Sequence, residues 1–162
     1  MDYMIREMRK DEIHLLDDFL YEAIFIPDWY TKEVPRDIIY SNPRMYAAIK
    51  DFGTHPDDYC YVAEVDNKVI GAVWVGIADE YGHMDDETPS FSISLYREYR
   101  NKGIGTALMR KMLQLLKEKG YKRASLGVNK ENYAVRMYKN VGFEIIGDGA
   151  DETEYLMVCK LT

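Results

Sequence analysis

Between Phe91 and Lys119 the chain changes its hydrophobic period once, and glycine marks the change. Phe91-Ser92-Ile93-Ser94-Leu95-Tyr96 alternates apolar and polar residues, the pattern of a strand with one buried face. From Ile104 onward Leu108, Met112, Leu115 and Leu116 recur at helical spacing, while Arg110, Lys111 and Lys117 fall elsewhere. The stretch therefore reads as strand, short basic loop Arg100-Asn101-Lys102-Gly103-Ile104-Gly105, then helix N-terminus. Such a junction aims unpaired backbone N–H groups and the positive end of a helix dipole at one spot, which suits a phosphate or pyrophosphate. Gly103 and Gly105 remove side chains that would keep a ligand off the backbone. Taken alone, the loop fits a plain turn as well as an anion site. It is not a Walker loop, since no Gly-Lys-Ser/Thr follows. It is not the dinucleotide fingerprint either, because Leu108 stands at the third glycine position.

A second block follows the same grammar. Ala124 to Asn129 reads as a strand, Asn132 is a natural N-cap for a helix over 133–141, Gly142 is a typical C′ residue, and Phe143 to Ile146 resumes a strand. Upstream, Met4 to Met8 forms a short first strand, and Asp11 caps a helix with the stripe Ile13, Leu16, Phe19, Leu20 and Ile24. A second helix runs from Arg36 towards Phe52, broken near Asn42-Pro43. Tyr59 to Val65 and Val69 to Ile77 are strands joined by an Asp66-Asn67-Lys68 hairpin turn, and a last strand lies near 154–161. The order β-α-α-β-β-β-α-β-α-β-β predicts a mixed α/β sheet, mostly antiparallel at its centre, with helices on both faces.

Arg100-x-x-Gly103-x-Gly105, followed by Asn132-x-Ala134-x-x-x-Tyr138-x-x-x-Gly142-Phe143, resembles the acetyl-CoA-binding signature of the GCN5-related N-acetyltransferases (GNAT superfamily). Element order resembles that family from Met4 to Leu161, and the diagnostic residues lie within 91–146. The resemblance implies one GNAT domain over residues 1–162, with a twisted, mostly antiparallel sheet. It implies an acyltransferase that moves the acetyl group of acetyl-CoA to a primary amine. It also implies that the strand before the glycine loop and the next strand diverge around the pantetheine arm, so that Leu95, Tyr96 and Arg97 make backbone bonds along it. The pyrophosphate would sit on Arg100, Asn101, Lys102, Gly103, Ile104, Gly105 and Thr106, with Asn129, Asn132 and Ala134 near the arm from the other side. A backbone N–H aimed at the thioester oxygen stabilises developing charge, and Leu95 is the implied donor. A tyrosine hydroxyl near the sulfur can protonate the departing thiolate, and by motif position that is Tyr138. The same residues leave open a module that binds acetyl-CoA without turnover, or a scaffold gripping another nucleotide.

The general base departs from the family pattern. Members often place a carboxylate on the strand equivalent to 91–97, but this one offers Ser92 and Ser94, and Glu98 lies past its end. Glu33, Asp79 and Glu80 are acids able to reach the acceptor through water, and His83 is a loop alternative. The acceptor pocket is expected from the 26–34 loop, the 79–89 loop and the 147–154 hairpin. Trp29, Tyr30 and Tyr81 would wall it, and Asp85, Asp86, Glu87, Asp148, Asp151, Glu152 and Glu154 would form an acidic rim.

Charge supports that division. Residues 1–89 carry 8 basic and 20 acidic side chains, whereas 90–162 carry 13 and 8, summing to the net −7. The half with the glycine loop is basic, as a polyanion site should be, and the acidic half suits a cationic acceptor, small or peptidic. An acidic chain disfavours nucleic acid. No apolar run reaches membrane-spanning length and no signal peptide is evident, so a cytoplasmic protein is expected. Cys60 and Cys159 read as reduced core thiols rather than metal ligands. Pairing of exposed C-terminal strands makes a homodimer an expectation.

Overall fold

The computed structural model describes residues 2–162, which build one seven-stranded sheet. The strands are β1 (Met4–Glu7), β2 (Tyr59–Val65), β3 (Lys68–Gly76), β4 (Ser90–Leu95), β5 (Arg123–Asn129), β6 (Glu144–Asp148) and β7 (Glu154–Lys160). The helices are α1 (Leu15–Glu22), α2 (Ile38–Ser41), α3 (Pro43–Tyr46), α4 (Ile104–Glu118) and α5 (Ala134–Asn140). Spatial order is β1-β2-β3-β4-β5-β7-β6. Every neighbouring pair is antiparallel except β4 and β5. This is the mixed, mostly antiparallel sheet that the element order predicts.

The β2–β3 hairpin turns through Asp66 and Asn67 at φ 51° and 65°, the left-handed pair that a two-residue turn matched to strand twist requires. Strand alternation then divides the core. Phe91 and Leu95 of β4 face α4 with Leu108, Met112 and Leu116, while Trp74 and Ala72 of β3 face α1 with Leu16 and Phe19. Each of the fully buried α4 side chains contributes about 1.5–3 kcal/mol of transfer free energy, so α4 is anchored by its stripe and not by propensity alone.

Two helix expectations need correction. Asp11 does not cap α1; a short 3₁₀ turn over Lys10–Glu12 precedes it and α1 begins at Leu15. Glu12 decides this, because its carboxylate takes two bonds from the Arg6 guanidinium (2.9 and 2.8 Å) and one from the Arg9 N–H (2.8 Å). The second helix is two single turns, α2 and α3. Pro43 forces Asn42 into an extended conformation (φ −92°, ψ 111°), from which its side chain accepts the N–H groups of Arg44 and Met45. Cys60 and Cys159 are both buried and free, as core thiols should be. β6 is an edge strand, exposed along its whole length. Among the described residues no helix is long and apolar enough to cross a membrane.

Candidate functional site

The site begins where the sheet opens. β4 and β5 run parallel and are paired at Ser90 opposite Ser125, with the Ser125 N–H on the Pro89 carbonyl at 3.0 Å. β4 then continues to Leu95 and β5 to Asn129, with no further register between them among the described residues. On its other side β4 is paired with β3, and the Tyr96 N–H donates to the Ile70 carbonyl at 2.9 Å. Antiparallel pairs alternate between hydrogen-bonded and open positions, so the N–H and C=O groups of Leu95 and Ile93 point away from β3 and into the gap. The same alternation commits the Tyr96 N–H to β3 and leaves it none to offer a ligand. The ring of Tyr96 instead packs on Phe19 at 5.1 Å.

Below the gap stands the N-terminus of α4. Gly103 precedes it at φ 85°, a left-handed conformation that costs other L-residues about 1–2 kcal/mol. The first internal bond of the helix is Ala107 N–H to Gly103 C=O, so the N–H groups of Ile104, Gly105 and Thr106 precede the intrahelical ladder. Gly105 is different. A Cβ there would make ordinary contacts, 3.8 Å to Leu95 Cδ1 and to Met137 Cε, so the protein's own packing does not demand glycine. Its bare backbone instead faces a cavity of about 650 Å³ that runs between the α1 end and the starts of α4 and α5. Leu95, Arg97, Arg100, Asn101, Gly103, Gly105, Thr106, Asn132, Ala134 and Tyr138 all line this cavity. Lys102 is exposed, and Tyr96, Lys102, Ile104 and Asn129 are not part of its wall.

Arg100 has a role that the loop pattern did not announce. Its Nε donates to the Leu95 carbonyl (2.9 Å), and its terminal nitrogen reaches the Glu22 carbonyl and carboxylate (both 3.2 Å). The guanidinium therefore ties the end of β4 to the end of α1, and Glu22 offsets its charge.

The start of α5 is held by Asn132, whose side-chain oxygen accepts the Ala134 N–H at 2.9 Å. Asn129 closes the turn before it by accepting the Glu131 N–H at 2.9 Å. At the other end Phe143 N–H bonds to Tyr138 C=O (3.0 Å) and Gly142 N–H to Lys139 C=O (3.1 Å), with Gly142 at φ 115°. These are the paired bonds of a Schellman motif, and its usual apolar contact is made by Tyr138 against Phe143. The helix end thus fixes the tyrosine ring. The Tyr138 side chain is buried, and burial alone pushes its phenol up to about 12, with no hydrogen bond or charge contributing.

Tyr138 also lines a second cavity of about 320 Å³ on the other side of the gap. Ala23, Ile24, Phe25, Ile93 and Asn132 likewise border both, so the two spaces adjoin along a wall that includes Tyr138. Glu80, Tyr81 and Asn129 line the second cavity, with Asp151 and Glu154 of the C-terminal hairpin. Trp29, Tyr30 and Glu33 line neither, and Trp29 is 70% exposed. The 26–34 loop instead contributes Ile26 and Val34 to the larger cavity. Of the acidic rim, Asp85 is bound to Arg123 and Asp148 to Lys130.

Backbone contact explains how Glu80 and Tyr81 arrive here from β3. A Cβ on Gly127 would lie 2.7 Å from the Tyr81 carbonyl oxygen, and one on Gly82 would lie 2.6 Å from the Gly127 nitrogen. The loop therefore seats main chain on main chain at β5, and the buried Ser125 hydroxyl locks it by donating to the Gly82 carbonyl (2.7 Å). A glycine inside a strand was the available signal for this close approach. Asn42 adds a second hold, donating to the Tyr81 hydroxyl at 2.8 Å. Glu80 is buried, and its carboxyl is pushed up to about 7 chiefly by burial; the Ser90 hydroxyl and the Gly82 N–H oppose this, and Asp79 reinforces it. The loop thus places a buried carboxyl beside Ser90 of β4.

Residues 21–143 match the acetyltransferase (GNAT) family, and the chain belongs to that family. An uncharacterized N-acetyltransferase of Methanocaldococcus jannaschii is 30% identical over 151 residues, 88% of this chain and 61% of that protein. A probable N-acetyltransferase, camello, of Xenopus laevis is 33% identical over 90 residues, 54% of this chain and 40% of the relative. The matches thus span 40% and 61% of these relatives' lengths. Among solved structures, the PaiA N-acetyltransferase of Thermoplasma acidophilum in complex with coenzyme A superposes with a TM-score of 0.70 at 20% identity, covering 99% of each chain. The fold is the same.

Proposed function

We propose that this chain is an N-acetyltransferase that uses acetyl-CoA to acetylate a primary amine. The observation that carries this reading is that two cavities adjoin along a wall that includes the buried Tyr138. The larger cavity fits coenzyme A by the chemistry of its wall. It presents the free N–H groups of a helix N-terminus, a glycine that the protein's own packing does not demand, and outward-facing strand amides. Acetyl-CoA, when bound, supplies the acetyl group as a thioester. The N–H groups of Gly105 and Thr106, which line the cavity, would hold the diphosphate, and Arg97 adds charge at the rim. Arg100 acts mainly as a strut that fixes the Leu95 peptide, whose N–H would polarise the thioester carbonyl.

On the acceptor side Glu80 would take the proton of the attacking amine, directly or through water. A carboxyl near 7 is matched to that task at neutral pH. Tyr138, kept protonated by burial, would hand its proton to the departing thiolate. The dimer expected from the C-terminal strands would form along the exposed edge β6.

Two measurements test the reading. Calorimetric titration should show affinity for coenzyme A and none for ATP or NAD. Thiol release from acetyl-CoA should require an amine acceptor. Binding without release under any amine would favour a sensor module instead.

A further inference from the structure

We propose that the Tyr81 hydroxyl selects the acceptor by donating a hydrogen bond to a neutral carbonyl oxygen that the acceptor carries besides its amine. This rests on the acetyltransferase reading above and narrows its substrate class from amines in general to amino amides and other carbonyl-bearing amines.

The direction of one hydrogen bond carries the inference. The Asn42 side-chain oxygen accepts the N–H groups of Arg44 (3.1 Å) and Met45 (3.2 Å), so its NH2 is the group that meets the Tyr81 hydroxyl at 2.8 Å. An amide NH2 donates and cannot accept, so the phenol oxygen accepts here and keeps its own hydrogen. The hydroxyls of Tyr21, Tyr40 and Tyr121 have the opposite polarity. They donate to the Val34 carbonyl and to the Asp17 and Asp57 carboxylates. Among the described residues no group accepts the Tyr81 hydrogen.

The side chain is held at both ends. Its main chain is seated on Gly127, where a Cβ would lie 2.7 Å from the Tyr81 carbonyl oxygen, and its hydroxyl is held by the cap of α3. Gly127, Tyr81, Arg44 and Met45 all line the cavity of about 320 Å³, so the phenol runs along that wall from β5 to α3. At the α3 end Arg44 bears only donors and Met45 only a weak thioether acceptor. That end therefore offers hydrogen with no oxygen to receive it. Tyr81 is half-buried, and an unmade bond at such a donor costs free energy that a ligand oxygen recovers. The oxygen is neutral, because Glu80, Asp151 and Glu154 line the same cavity and would repel a free carboxylate.

The test pairs alaninamide with 1,2-dimethylpropylamine, which has the same shape but methyls in place of the amide oxygen and nitrogen. Thiol release from acetyl-CoA is the readout. Each variant is compared with the wild type on the same amine, which cancels the difference in amine basicity. Tyr81→Phe should lower kcat/KM for alaninamide about 5-fold more than for its isostere, chiefly through KM, with coenzyme A affinity within about two-fold. Asn42→Asp is the sharper variant. Its carboxylate keeps the α3 cap but accepts from the phenol, so it withdraws the hydrogen from the cavity and leaves the ring in place. The same selective loss should appear with Tm held. Losses shared equally by both amines, an Asn42→Asp enzyme with its preference intact, or thiol release confined to amines without a carbonyl would each overturn the assignment and leave the acetyltransferase reading standing. No thiol release with any amine, while coenzyme A still binds, sinks both.

Discussion

The two cavities that share Tyr138 are built from different material. The larger offers main chain, set among apolar side chains such as Phe25, Ile26 and Val34: strand amides turned outward by register, a helix N-terminus, and glycines. The smaller presents side chains drawn from three distant segments, namely Arg44, the Glu80–Tyr81 loop and the hairpin acids. A main-chain site recognises a part common to many ligands, because every backbone presents the same N–H. A side-chain site can be rewritten residue by residue without touching the fold. Under the proposed function the first holds the coenzyme and the second selects the acceptor.

The sharpest way to break the comparison is at the shared wall. Tyr138→Phe should lower kcat by about 10²-fold or more, the range of general acid–base effects, with coenzyme A affinity within about two-fold. Equal losses in binding and turnover would mean that the phenol belongs to the coenzyme site alone.

Glu80→Gln should cost nearly as much in kcat, about 10²-fold, and carry a pH signature that Tyr138→Phe lacks. Raised from 4.5 to about 7 mainly by burial, Glu80 keeps a proton in the fold that the unfolded chain has lost between those values. The resulting stability is complete below 4.5 and is lost as pH rises through about 7, about 3 kcal/mol over the window. Activity should move the other way, rising through about 7 as the base ionises. Thermal melts and rate profiles of the Glu80→Gln variant should both flatten across that window. The groups facing Glu80 are the Ser90 hydroxyl, the Gly82 N–H and Asp79, and none of them reverses the sign.

Gly105→Ala isolates the main-chain site. The added methyl has room against Leu95 and Met137 and improves helix propensity, so stability should rise by up to about 1 kcal/mol. Coenzyme A affinity should fall about 10-fold, because the same methyl projects into the groove. Loss of both would place the glycine in the fold rather than the site.

Asn42→Ala removes the α3 cap and the hold on Tyr81, at a cost of about 1 kcal/mol in stability, with KM for the acceptor rising and coenzyme A binding intact. Trp29→Ala is the smallest. The ring is exposed and lines neither cavity, so stability should change by no more than about 0.5 kcal/mol, with both substrates unaffected.

How far the chain was legible follows the same divide. The glycine loop, the Asn132 cap and the Gly142 stop are local devices, each readable from a few adjacent residues, and each sits where its spacing places it. The helix at Asp11 was misread because Glu12 answers to Arg6, a residue of β1 that only folding brings alongside. Trp29 and Tyr30 suggested a pocket wall by composition, but aromatic character alone carries no direction, and the loop turns Ile26 and Val34 inward instead. Arg100 looked like a phosphate ligand from its place in the loop. Its partners, Leu95 and Glu22, lie 5 and 78 residues away and make it a brace as well.

Periodicity and punctuation along the chain were enough to write the order of strands and helices and the glycine loop that starts α4, because both depend on backbone conformation and near neighbours. Which carboxylates line the smaller cavity was decided by the seating of Gly82 on Gly127 and by the pairing of β7 with β5, contacts between segments far apart in the chain. Position in space, and the loss of water that comes with it, turned Glu80 from an ordinary glutamate into a group poised near neutrality.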